Sequence, residues 1–110
     1  MAKKTRARTQ RREAGRALSK LQVAREKLFQ LDPGGSPQRP LDVSSPAVVE
    51  TQAQSVPCPR CEGRHEVLEH VALRRDDVRL REARLRCQRC GSLRSVWFRI
   101  RPEASGVAPN

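Results

Sequence analysis

The stretch "LRCQRCGSLR", residues 85–94, contains two cysteines that are separated by two residues and followed at once by a glycine. A second pair, "CPRC", occupies residues 58–61, and 25 residues separate the two pairs. A Cys-x-x-Cys loop places two thiolates on one side of a tight turn, and two such loops facing each other surround one ion with four sulfurs. The spacing therefore predicts a zinc site formed by Cys58, Cys61, Cys87 and Cys90.

Two other uses of paired cysteines fit the sequence less well. A thioredoxin-like redox motif requires a single pair at a helix N-terminus within a βαβ pattern, and neither pair has that context. Disulfides belong to oxidising compartments, but the charged start "MAKKTRARTQRRE" is not followed by the apolar run of a signal peptide. We therefore expect a cytoplasmic protein with one structural zinc ion, with iron as the alternative metal for four thiolates.

This arrangement resembles the zinc-ribbon class, in which two Cys-x-x-Cys knuckles are joined through a three-stranded antiparallel sheet. The resemblance covers residues 57–101 and implies that the four cysteines are the ligands. One departure is visible, because Gly91 follows the second knuckle directly whereas Gly63 comes one place later after the first. Zinc ribbons occur in transcription factors, RNA polymerase subunits, ribosomal proteins and interaction modules, so the resemblance does not select a function.

Three runs in the same region show partial two-residue alternation, as strands do: "HEVLEHVAL" (65–73), "DVRLREARL" (77–85) and "LRSVWFRI" (93–100). A turn is expected at 74–77, and a change of phase between Leu80 and Ala83 indicates a bulge or a misplaced boundary. In the last run, the alternation places Val96, Phe98 and Ile100 on the core face. Trp97 then lies on the opposite face, where it either stacks on a base or is covered by another segment.

The composition indicates a small and strongly basic protein. The chain has 110 residues, of which 36% are hydrophobic, and its formal net charge is +11. A chain this short and polar buries a modest apolar area and is marginally stable without a metal. It contains no run of the roughly 20 apolar residues that a membrane span requires. The charge predicts attraction to polyanions such as nucleic acid.

Charge and proline content divide the chain into segments. Residues 1–31 carry a net charge of +8, residues 32–57 a net charge of −2, and residues 58–110 a net charge of +5. Residues 1–31 are rich in helix-favouring residues and end at "DPGG", so they are predicted to form a basic helical arm. Residues 32–57 contain five of the eight prolines and are predicted to be a linker, or a strap laid over the domain.

Two local alternatives stay open within the 32–57 segment. Ser45-Pro46 suits the start of a short helix, whereas "AVVE" suits an edge strand. A polar, disordered tail is expected at residues 102–110. Together, the segments predict a small α+β protein with an N-terminal helix, a Pro-rich linker or strap, and a zinc ribbon with a three-stranded antiparallel sheet over residues 58–101.

The predicted function is binding rather than catalysis. Four cysteines fill a zinc ion's coordination positions, and the sequence contains no catalytic triad pattern or phosphate-binding glycine loop, so we expect no enzymatic activity and no small-molecule substrate. The expected partner is nucleic acid or a transcription or ribosomal assembly, without a membrane. The candidate contacts are Lys3, Lys4, Arg6, Arg8, Arg11, Arg12 and Arg16 in the arm, and Arg79, Arg81, Arg94, Arg99 and Trp97 in the module.

An alternative function is that of a protein-interaction adaptor. Apolar residues recur along the arm at steps of four and three residues, which places them in one stripe of a helix. The stripe consists of Ala17, Leu21, Ala24, Leu28 and Leu31. Such a stripe either packs on the rest of the chain or lies in the groove of a partner.

Overall fold

The computed structural model describes residues 2–102, with side chains described from Ala7 onwards. The elements in chain order are helix α1 (Ala2–Leu31), strand β1 (Leu41–Val43), a 3-10 turn (Pro46–Val48), helix α2 (Val49–Ser55) and strands β2 (His65–Arg75), β3 (Val78–Cys87) and β4 (Leu93–Ile100). The protein is therefore α+β with an N-terminal helix, as predicted. Residues 103–110, for which a disordered tail is expected, lie outside the described residues.

The sheet has four strands in the order β1-β4-β3-β2. Strands β2, β3 and β4 pair antiparallel, but β1 pairs parallel with β4, with Leu41 opposite Phe98 and Val43 opposite Ile100. The predicted three-stranded antiparallel sheet is corrected to a mixed four-stranded sheet. The physical reason is that Leu41 and Val43 alternate with a polar residue, so pairing with the free edge of β4 places both side chains on the core face.

Helix α2 covers that core face. The Ser45 hydroxyl accepts a hydrogen bond from the backbone N–H of Ala47 at 3.0 Å, with Pro46 next in the chain, so the helix alternative is correct and "AVVE" is not a strand. Val49 and Ala53 lie four residues apart on one helix face and are both fully buried. They pack against a cluster formed by Val43, Ala83, Leu85, Val96, Phe98 and Ile100.

The β2–β3 hairpin places the turn at Asp76 and Asp77, in the second half of the expected range 74–77, because Arg74 and Arg75 still pair with β3. Asp76 and Asp77 both adopt positive φ, at 50° and 65°, which matches the twist that a two-residue hairpin turn requires. The irregularity lies on β2 rather than β3, because the register shifts between Val67 and Glu69. Strand β3 keeps a continuous register with β4, so Leu80, three residues before the buried Ala83, is buried on the other face of the sheet.

Helix α1 ends at a loop that glycine makes possible. Gly34 is buried with φ +88°, and a Cβ there would lie 2.9 Å from the Leu41 side chain and 3.3 Å from Val96. The Arg39 guanidinium donates to the last helical carbonyl, that of Leu31, at 2.6 Å. The chain thereby turns from the helix into the sheet within a few residues.

Most of α1 projects away from the sheet. Its second half is partly covered at Gln22, Glu26 and Phe29, which lie on one face. The predicted apolar stripe lies on another face and is exposed at every position: Ala17, Leu21, Ala24, Leu28 and Leu31. No helix within residues 2–102 is both long enough and apolar enough to cross a lipid bilayer.

Candidate metal centre

The four cysteine sulfurs converge at one end of the sheet. The Sγ atoms of Cys58, Cys61, Cys87 and Cys90 all lie within 4.8 Å of one another, and none forms a disulfide. Two distances join the two knuckles, 3.7 Å between Cys58 and Cys90 and 3.4 Å between Cys61 and Cys87. The cluster could hold a metal ion and is compatible with a zinc-ribbon-like motif.

The two knuckles have the same backbone hydrogen bonds, which explains the displaced glycine. In the first, the N–H of Glu62 donates to the carbonyl of Cys58 at 2.7 Å; in the second, the N–H of Gly91 donates to the carbonyl of Cys87 at 2.9 Å. Both donors have left-handed backbone, with φ +64° for Glu62 and +79° for Gly91. Glu62 therefore occupies the position of Gly91, at a strain that glycine does not have.

The residue that follows, Gly63 in the first knuckle and Ser92 in the second, differs for a steric reason. The carbonyls of Gly63 and Ser92 each accept a bond from the first cysteine of their knuckle, at 3.0 and 2.9 Å. A Cβ on Gly63, however, would lie 2.9 Å from the Cys87 sulfur and 3.2 Å from the Cys61 sulfur. Gly63 is thus required by close approach to the sulfurs, whereas Ser92 has room for a hydroxyl.

Backbone N–H groups point at the first sulfur of each knuckle. The N–H of Arg60 lies 3.4 Å from the Cys58 sulfur, and those of Arg89 and Cys90 lie 3.3 and 3.4 Å from the Cys87 sulfur. Burial opposes ionisation, but hydrogen bonds from Ser92 and the backbone outweigh it and lower the pKa of Cys58 to about 6. The pKa of Cys87 is lowered in the same way, against burial, by the N–H groups of Cys90 and Arg89.

The pKa of Cys61 shifts in the opposite direction. Burial and the shared contact with Cys87 raise the pKa of Cys61 to about 12. Adjacent thiolates repel one another, so the cluster holds four of them together only when a cation compensates their charge. The donor set is therefore chemically suited to a divalent metal ion.

A chain of side chains connects the sulfurs to helix α1. The Ser92 hydroxyl lies 3.0 Å from the Cys90 sulfur and 3.6 Å from the Cys58 sulfur, and it accepts a hydrogen bond from Arg94 Nη2 at 2.7 Å. Arg94 also donates twice to Glu26, from Nη2 to Oε1 at 2.8 Å and from Nε to Oε2 at 3.1 Å. Helix α1 is thus linked to the cysteine cluster through the side chains of Arg94 and Ser92.

His65 is buried beside the same arginine and is not placed as a ligand. Its Nδ1 lies 2.6 Å from the carbonyl oxygen of Val56, and its Nε2 contacts Arg94 Nη1. Because Arg94 can only donate, Nε2 accepts and Nδ1–H donates to Val56, so the ring is neutral. Burial lowers the pKa of His65, and the Arg94 charge adds to that effect against the opposing bond to Val56.

The sheet does not bring the predicted nucleic-acid contacts of the module onto one surface. By strand alternation, Arg79, Arg81 and Arg94 lie on the face that α2 covers, while Trp97 and Arg99 lie on the other. Arg94 is buried and bound to Glu26, which corrects its assignment as a phosphate contact. Trp97 is half-buried, and its backbone N–H donates to the carbonyl of Gly34 at 2.8 Å.

Several of the module's arginines are neutralised by neighbouring acids. Arg99 binds Asp42 at 2.7 and 3.2 Å. Arg84 pairs with Glu69 and Glu82, and Arg86 pairs with Glu66. Arg81 contacts His70 at 3.3 Å, and Arg79 is exposed, with no ion pair to another described residue.

Unpaired cations are denser in the arm than in the module, where Arg64, Arg74, Arg75 and Arg79 are likewise exposed without an ion pair to another described residue. Within the part of the chain whose side chains are described, the candidates Arg8, Arg11, Arg12 and Arg16 are exposed and form no ion pair. Three further arm cations that sequence reasoning omitted behave likewise: Lys20, Arg25 and Lys27. The side chains of Lys3, Lys4 and Arg6 lie outside the described part of the chain.

Sequence reasoning also missed Glu26 and Ser92. Glu26 is one of only two acidic residues among the ten cations of residues 1–31, and that isolation was an available signal.

Comparison with protein-family models, with curated proteins and with solved structures finds no match to this chain.

Proposed function

We propose that this is a non-enzymatic zinc protein of the cytoplasm that binds nucleic acid, or an assembly containing it, through the cations of helix α1. The observation that carries the proposal is the run of unpaired cations along the arm. The arm presents exposed cations without ion-pair partners among the described residues, whereas Arg84, Arg86 and Arg99 of the sheet are paired with carboxylates. Unpaired cations on an exposed helix suit the phosphates of a polyanion.

Zinc is the proposed metal because two paired Cys-x-x-Cys knuckles are a usual ligand set for structural zinc, and the distances between the sulfurs fit such a tetrahedral site. A tetrahedral site with Zn–S bonds of about 2.3 Å has edges of about 3.8 Å. The sulfur–sulfur distances between the knuckles, 3.7 Å from Cys58 to Cys90 and 3.4 Å from Cys61 to Cys87, lie near that value. Four thiolates leave no position for a reactive water molecule, so the role that we assign to the metal is structural.

The cations of α1 are arranged in a regular row. Arg8, Arg12, Arg16 and Lys20 follow one another at steps of four residues, about 6 Å per step. Like charges at this spacing repel one another in the free helix. A bound polyanion relieves that repulsion and releases its own counterions, so binding should depend strongly on salt and weakly on sequence.

The adaptor function remains the second candidate, because one observation favours it. The side chains of Leu21, Leu28 and Leu31 are 46%, 62% and 63% exposed, so the stripe is free to enter the groove of a partner protein. Apolar residues at this spacing are the anchors of helix-in-groove recognition. Substitution of Leu21 and Leu28 by Asp should abolish protein capture and leave polyanion binding unchanged.

The salt dependence of binding tests the leading proposal. If about six arm cations contact phosphates, affinity for a short duplex should fall by about 10³ between 50 and 200 mM salt. Replacing Arg8, Arg12 and Arg16 by Gln should reduce the slope of log affinity against log salt by about 2.7. The matched control replaces Arg84 and Arg86, which are ion-paired, and should leave the slope nearly unchanged. A slope near zero for the unaltered protein would contradict phosphate binding.

A further inference from the structure

A cavity of about 590 Å³ lies where helix α1 meets the sheet. The aromatic side chains of Phe29 and Trp97 contribute to its lining. Polar groups also reach it, from Gln30 on the helix, Ser36 on the following loop and Ser95 on β4. The size and the mixture of aromatic and polar groups are those of a small-ligand site.

The edge of β4 at Ser95 contributes further polar groups to this cavity. The backbone N–H of Trp97 points away from β3, since it donates to the carbonyl of Gly34. Ser95 is two residues earlier in the same strand, so its backbone N–H and C=O point the same way. Strand β1 pairs only with Phe98–Ile100, and this part of the edge therefore faces the cavity.

Two cations of the arm, Arg11 and Arg12, lie on the helix face that leads to the cavity. Arg11 precedes Phe29 by 18 residues, and Arg12 precedes Gln30 by the same number. Eighteen residues are five turns of an α-helix, so each pair shares one face at a separation of about 27 Å. At the cavity itself, Arg60 is partly exposed, but its guanidinium is ion-paired with Glu26 at 3.1 Å, so the charge that attracts phosphates is that of the arm.

We propose that the cavity binds one unpaired base of single-stranded nucleic acid, stacked on Trp97, while the phosphates follow the cationic face of α1. The proposal rests on nucleic-acid binding by the arm and adds a preference for single strands. Any base can stack on an aromatic ring, and the Ser36 hydroxyl, the Gln30 amide and the backbone groups of Ser95 can hydrogen-bond to base edges. The Ser95 hydroxyl itself already donates to Glu82 at 2.5 Å. A base within a duplex is paired and stacked, so it cannot enter.

The fluorescence of Trp97 tests this proposal in the unaltered protein. The chain has one Trp and no Tyr, so its tryptophan emission comes from the cavity alone. The two probes are a fluorescein-labelled 12-nucleotide oligothymidylate and a labelled duplex of equal charge. Anisotropy reports binding of each probe, and unlabelled copies of the probes are used to follow Trp97 emission.

The expected result is that both probes bind at low salt and that only the oligothymidylate quenches Trp97, with the same midpoint as its anisotropy. Oligothymidylate binding without any change in emission overturns the base site and leaves the arm's role standing. Failure of both probes to bind overturns the base site together with the proposed function. The two failures are therefore distinguishable.

A substitution at the ring provides a second readout. Trp97→Leu should weaken oligothymidylate binding roughly 5- to 150-fold, the loss expected for one stacked base, and should leave duplex binding unchanged. Trp97→Phe retains an aromatic face and should recover most of the affinity. Equal losses of affinity for the oligothymidylate and the duplex would count against a base site. If the Leu variant does not fold, the emission measurement on the unaltered protein decides the question.

Discussion

Glu26 of helix α1 and Arg94 of strand β4 form a two-point ion pair across 68 residues of sequence. The Arg94 side chain is 3% exposed and that of Glu26 is 13% exposed, so the pair is shielded from solvent. Arg94 also binds Ser92, whose hydroxyl contacts the cysteine sulfurs. The position of the arm and the integrity of the metal centre are therefore physically connected.

The first prediction concerns this pair. Glu26→Gln should lower the free energy of unfolding by about 3 kcal/mol, because it leaves the buried charge of Arg94 without its carboxylate. Chemical denaturation of the metal-loaded protein measures the change. The matched control is Glu13→Gln, at an exposed site on the same helix with no ion pair to another described residue, and it should change stability by less than about 0.5 kcal/mol. Equal effects of the two substitutions would show that the pair does not anchor the arm.

A second prediction compares two glycines. Gly63→Ala should destabilise the protein by about 1–3 kcal/mol and weaken metal retention, because the added methyl group meets the sulfurs of Cys61 and Cys87. Gly15→Ala should instead stabilise it by about 0.5–1 kcal/mol, since a Cβ there meets no atom within 4 Å and Ala favours helix. Thermal unfolding and a competition assay with a chromophoric chelator give the two readouts. Normal metal retention in the Gly63 variant would argue against the close approach described above.

The third prediction follows from the left-handed backbone of the first knuckle. Glu62→Gly should raise stability by up to about 1 kcal/mol, because glycine adopts positive φ without the steric cost that Glu62 bears. The gain should be visible in urea titration of the metal-loaded protein. A loss of stability would mean that the Glu62 side chain contributes more than its backbone strain costs.

The fourth prediction concerns acid stability. Because burial lowers the pKa of His65 in the folded protein, the unfolded chain binds a proton more readily than the folded one. The contribution of neutral His65 to stability is therefore present above its unfolded pKa of about 6.5 and is lost as pH falls below that value. An NMR titration of the ring should give a midpoint below that of an unstructured peptide. A midpoint at or above the peptide value would contradict the neutral ring donating to Val56.

Local chemistry explains which features the sequence could predict. The cysteine spacing, the alternation in β4 and the Ser45-Pro46 pair each act within a few residues, so their outcome is visible in the sequence. Strand β1 was not predicted, because three residues are too few to show a period. Its pairing depends on the free edge of β4, more than fifty residues away.

Contacts between residues far apart in the sequence account for the remaining differences between the predicted and the observed structure. An apolar stripe specifies which face of a helix is apolar but not what covers it, and α1 is attached through the face of Glu26 and Phe29 instead. Strand alternation placed Val96, Phe98 and Ile100 in the core, yet it could not show that Arg94, on the same face, would be buried with an acid of α1. Such pairings arise from the tertiary fold.

The proposed structure depends on one metal ion, held by four thiolates, that keeps the two knuckles together. Elemental analysis of freshly purified protein tests it most directly. We expect one zinc ion per chain, with loss of that zinc when Cys58 or Cys87 is replaced by Ser. Protein that folds with no bound metal in stoichiometric amount would contradict it.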